Sequence, residues 1–106
     1  MRTWCGRWDA AVDEKWRIGI PKQLARYLPK HLFLKGNSSA CLELWTSCPK
    51  ITRLSAPLIF EVSVKSSSGQ ARLSIPTALR EANSFYFGGK VTIAGRGSYL
   101  ELWPRP

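Results

Sequence analysis

One histidine, seven carboxylates and no glycine-rich phosphate loop leave this 106-residue chain little from which to build an enzyme. Asp9, Asp13 and Glu14 lie close in sequence, but their basic surroundings suit ion pairs better than acid–base chemistry. The cysteines Cys5, Cys41 and Cys48 include no CxxC pair. Together with His31 they match no zinc-finger spacing, so no metal and no cofactor is expected and the thiols read as reduced. Long apolar runs are missing too: "PLIFEV" (57–62) is far too short to span a bilayer. Polar residues interrupt the opening "MRTWCGRWDAA" before a signal-peptide core can form. These absences point to a soluble, cytoplasmic protein that is not an enzyme and has no membrane partner.

Positive charge is in surplus. Sixteen Lys and Arg give a net charge of +9 and a pI near 10. On a chain this short, that favours a polyanionic partner, nucleic acid first. The basic residues run from Arg2 to Arg105, so folding must assemble any patch they form.

The chain also repeats itself. "RIGIP" (17–21) returns as "RLSIP" (72–76), with Leu24 matching Leu79, and "CLELW" (41–45) returns as "YLELW" (99–103). The offset grows from 55 to 58 between the two echoes, which places an insertion in the second copy, in "NSFYFGG" (83–89). Two blocks matching in the same order indicate an internal duplication: a first repeat at 1–45, a linker at 46–57 and a second repeat at 58–106, within a single domain.

Each copy predicts the order β-β-α-β-β. "WDAAVDE" and "FEVSVKS" alternate as strands, and the apolar residues of "RIGI" and "RLSI" share one face of a second strand. Pro21 and Pro76 suit the first turn of a helix, so "KQLARYL" and "TALREA" predict helices of about two turns. Hairpins follow, turning near Gly36-Asn37 and near Gly95 to Gly97. About fifty residues cannot offset their chain entropy alone, so the two copies must share one core in a pseudo-twofold, mainly β barrel with short helices.

This combination of turn, Arg-apolar-x-Ile-Pro, short helix, hairpin and "LELW" resembles the MraZ family of bacterial transcription regulators. More broadly it resembles the AbrB-type swapped-hairpin barrel (the SpoVT-AbrB domain). In such proteins each half carries Asp-x-x-x-Arg, usually with Gly before the Arg. Asp13 and Arg17 satisfy that motif; Trp16 replaces the Gly, which predicts another backbone shape for this turn. In the second half Ser68 stands where Asp would be, and Arg72 survives.

The resemblance implies sequence-specific binding to duplex DNA, transcription regulation and a nucleoid-associated homo-oligomer, at least a dimer. Arg17 and Arg72, at equivalent turns, suit bidentate contact with guanine edges or phosphates. Asp13 and Ser68 would brace those turns. Lys15, Lys22 and Arg26 in the first half, with Thr77 and Arg80 in the second, would take phosphates, aided by the two helix N-termini. Trp45 and Trp103 read as packing residues, and Trp16 either as a cover for the barrel's end or as a wedge against DNA. The alternative from another class is an oligomerising protein-interaction module, antitoxin-like or adaptor, without sequence-specific DNA binding.

Overall fold

A computed structural model describes residues 3–36, 41–49, 59–82 and 89–105. The chain runs β1 (Arg7–Ala11), β2 (Arg17–Ile20), α1 (Lys22–Ala25), β3 (His31–Gly36) and β4 (Leu42–Trp45). The second copy follows as β5 (Ile59–Ser67), β6 (Gln70–Ser74), α2 (Thr77–Ala82), β7 (Lys90–Gly95) and β8 (Leu100–Arg105). The expected turn residue Asn37, linker positions 50–57 and most of the expected insertion segment, 83–88, lie outside the described residues.

Every strand pairing is antiparallel, in the order β1-β7-β8-β4-β3-β5-β6-β2. The two ends of this order are β1 and β2, which a bridge between Val12 and Ile18 and the Asp13 N–H to Arg17 carbonyl bond (2.9 Å) bring together. The result is a nearly closed eight-stranded barrel. β5 serves both sides of it: Ile59–Ser63 pair with β3, and Val64–Ser67 pair with β6.

Alternation builds the interior. Ile18 and Ile20, Leu32 and Leu34, Leu42 and Leu44, Val91 and Ile93, and Leu100 and Leu102 all point inward and are buried. Leu24 of α1 and Leu79 of α2, with Ile75, join the same core. Each such side chain contributes about 1.5–3 kcal/mol by leaving water.

The duplication is visible in the registers. Exchanging the two copies reproduces the same ring of strands. β2 and β6 cross with Ile18 opposite Leu73, its own counterpart in the repeat, and β4 and β8 cross with Glu43 opposite Glu101. A pseudo-twofold axis therefore passes through these two pairs.

Two local expectations are corrected. The first helix is one turn, not two: after Ala25 the backbone tightens to Tyr27 N–H→Leu24 and Leu28 N–H→Ala25 carbonyl bonds, and Pro29 disfavours helix at Leu28. Trp16 does not escape the conformation that Gly would hold. Its φ is +58°, in the left-handed region.

Candidate nucleic-acid interface

On β2 and β6 the residues facing away from the core are Arg17 and Gly19, and Gln70, Arg72 and Ser74. Arg17 lies opposite Ser74, and Arg72 opposite Gly19. The two arginines are thus diagonal neighbours around the pseudo-twofold axis, about 7–8 Å apart at their backbones. They lie on the same outward face of the barrel.

Their immediate surroundings differ. Asp13 accepts the Lys15 and Arg17 backbone N–H groups through Oδ1 (both 2.9 Å) and Arg17 Nε through Oδ2 (2.9 Å). Burial alone would raise the Asp13 pKa, but these hydrogen bonds and the guanidinium outweigh it and hold the carboxyl below its ordinary value. Arg17 is oriented by this contact and keeps 30% of its side chain exposed. Lys15, at the same turn, is exposed.

The counterpart of Asp13 in the second half is not Ser68. Ile18 and Leu73 are equivalent, and their cross-strand partners are Val12 and Val64. The next residue is Asp13 in one half and Lys65 in the other, and Lys65 stands directly opposite Arg72. Where the first half sets Asp13, the second sets Lys65, and Arg72 also lines a recess with Asp9 and Asp13. Ser68 sits three residues further on, exposed at the hairpin tip with φ +53°, followed by Gly69 at +79°. Positive φ at both central residues is the pattern of a two-residue type I′ loop.

Sequence reading missed Lys65. The signal was available in the alternation of "FEVSVK" together with a two-residue loop at Ser68-Gly69, which pairs 67 with 70 and hence 65 with 72.

The remaining predicted residues divide into two groups. Lys22 and Arg26 are exposed and line a broad groove between α1 and the β5–β6 hairpin, where Lys30 and Lys65 join them. Thr77 and Arg80 line a smaller recess with Ser74 and, again, Lys65. Arg80 is engaged within the fold: its Nε donates to the Ile75 carbonyl (2.7 Å), and its guanidinium lies 4.9 Å from the Trp16 ring centroid. Trp16 packs on the core, and its carbonyl accepts the Ile75 N–H (2.9 Å). At four and six residues, α1 and α2 are too short to supply helix-terminus anion sites of their own.

At the other end of the axis, Glu43 and Glu101 face each other, both buried. Each accepts the indole N–H of the tryptophan two residues on (Trp45 and Trp103, both 3.0 Å), which accounts for the repeated "LELW". Lys35 balances Glu43 at 3.6 Å, and Arg96 balances Glu101 at 2.7 Å. Burial would raise the Glu101 pKa; its hydrogen bonds from Arg96 and Trp103 outweigh this and lower it. Burial pushes the adjacent Cys41 thiol up to about 11, and the two carboxylates add to the effect. Tyr99 stacks on Trp45 with centroids 4.6 Å apart.

Among the described residues no group of three or more His, Cys, Asp or Glu could hold a metal ion, and no helix is long and apolar enough to cross a membrane. No protein-family model matches the chain, and no curated protein matches it either.

Proposed function

We propose that the chain is a sequence-specific duplex-DNA-binding regulator of MraZ/AbrB type, a swapped-hairpin barrel acting in the cytoplasm as a homo-oligomer. The observation that carries this reading is the placement of Arg17, Arg72 and Lys65 on one outward face around the pseudo-twofold axis. Lys65 opposite Arg72 adds positive charge to this face, which suits an anionic partner. Arg17, aimed by Asp13, is prepared for bidentate contact with a guanine edge. The interleaved strand order, in which β1 pairs with β7 and β3 with β5, supports the swapped-hairpin classification. Lys15, Lys22, Arg26 and Thr77 supply phosphate contacts, which set position rather than sequence. Arg80 contributes by fixing Trp16 behind the turn.

Fluorescence anisotropy with random duplex DNA across a salt series tests the reading. Log affinity should fall linearly with log salt, with a slope of about −0.9 per phosphate contacted. Arg17→Ala combined with Arg72→Ala should weaken binding to random duplex and reduce the slope by about two phosphates, since on random sequence these arginines act through the backbone. Lys65→Ala should reduce the slope by about one phosphate. No binding at 50 mM salt, or a double variant that binds like the parent, would overturn the proposal.

A further inference from the structure

The two halves of the barrel share one strand order but differ in the turn before β2 and β6 and in what fills the corner beside each helix. Trp16 stands in a left-handed turn, while Ala71 lies within β6 after the longer hairpin. In β2 and β6 the pair Ile20 and Ala71 has as its symmetric counterpart Ile75 and Trp16. Position 71 in the second copy is therefore position 16 in the first, and by the same offset Ala25 corresponds to Arg80. Beside α2 the corner is filled by the chain itself: the Trp16 indole packs against the core, and the Arg80 guanidinium covers its ring. Beside α1 both of these side chains are alanines. The corner stands open as a groove of about 1290 Å³, far more than one aromatic side chain occupies.

The walls of this groove define its occupant. Its floor is aliphatic, with Ile20, Leu28 and Val64. Its charged residues are Lys22, Arg26, Lys30 and Lys65, and no carboxylate is among the described residues that line it. We propose that the groove binds an acidic peptide segment of a partner protein through one aromatic anchor, which takes the place that Trp16 takes in the other half. Burying an aromatic against aliphatic walls gives affinity, and the four cations select for acidic flanks. A nucleic-acid strand fits less well, because the described lining offers no aromatic ring for a base to stack on. The proposal goes beyond DNA binding and does not rest on it.

The test uses the full chain and a fluorescein-labelled, end-blocked heptapeptide in which one Trp is flanked on each side by three Asp or Glu. A second peptide has Ala in place of the Trp. Anisotropy at 50 mM salt should show the Trp peptide binding at least about tenfold more tightly than the Ala peptide. Ala71→Trp, which sets an indole among the groove's own lining from β6, should abolish binding while far-UV circular dichroism is preserved. As this position is half-buried, a second variant, Lys30→Glu with Lys65→Glu, changes only exposed residues. It should lose the acidic peptide about tenfold and gain affinity for a Lys-flanked Trp peptide. Equal binding of the Trp and Ala peptides would overturn the proposal, as would full binding by a folded Ala71→Trp chain. So would stronger displacement of the labelled peptide by a single-stranded oligonucleotide than by unlabelled peptide. Duplex binding measured in parallel reports on the DNA reading separately: its loss leaves the peptide result standing, and the reverse.

Discussion

Trp16 holds φ at +58°, where a residue with a Cβ loses about 1–2 kcal/mol relative to glycine. The cost is tolerated because the indole packs against the core and carries the Arg80 guanidinium, contacts that together amount to about 2–3 kcal/mol. These magnitudes predict an order rather than a single value. Trp16→Gly loses the packing and regains the backbone, and should destabilise by about 1 kcal/mol. Trp16→Ala loses the packing and keeps most of the strain, and should destabilise by about 2 kcal/mol. Urea unfolding of the three proteins gives the ranking, and equal midpoints for the Gly and Ala variants would show that the turn stores no strain. From the residue types alone, replacing Gly by Trp argued for a changed turn. The structure keeps the turn, because Asp13 closes it through three hydrogen bonds and the tertiary contacts of the indole outweigh a local preference.

The element order was legible for a physical reason: period-two alternation marks the strands, and Pro21 and Pro76 end them at equivalent points. The length of α1 was less legible, since "KQLARYL" has helical spacing and only the tightening before Pro29 stops it. Lys65 was hidden by alignment. Matching the copies backwards from the Arg leads to Ser68, whereas the barrel matches them by core pairs. Val12 to Ile18 spans six positions and Val64 to Leu73 nine, so three extra residues in the second hairpin shift the true counterpart of Asp13 to Lys65. That longer hairpin depends on its Ser68-Gly69 loop, where both residues have positive φ. Asn accepts this conformation more readily than Ser, so Ser68→Asn should stabilise the protein by about 0.5 kcal/mol. The corresponding rise in Tm is about 2–4 °C by scanning calorimetry. A lowered Tm would contradict the primed-turn geometry.

The barrel as a whole has one core because the copies exchange strands. β1 has β7 as its full partner, β2 has β6, and β3 lies between its own β4 and the other copy's β5. Among the described residues of the first copy only the β3–β4 ladder and the Val12–Ile18 bridge are internal strand pairings, and a lone hairpin is at best marginal in water. Leu24, Ile18 and Ile20 meet Leu73, Ile75 and Leu79 in a single buried cluster, so separating the copies exposes the apolar surface of both. Residues 1–49 and 50–106, made as separate chains, should therefore each lack a cooperative thermal transition at micromolar concentration. Mixed in equal amounts, they should recover one, with a midpoint that rises with concentration because two chains must meet. The same pseudo-twofold arrangement lets a second copy of one fragment substitute for its missing partner, so each fragment must also be examined by sedimentation. A folded fragment that sediments as a dimer agrees with strand exchange across the axis. A folded fragment that sediments as a monomer would mean that one copy buries enough on its own, and the shared core would then be a consequence of the duplication rather than the condition for folding.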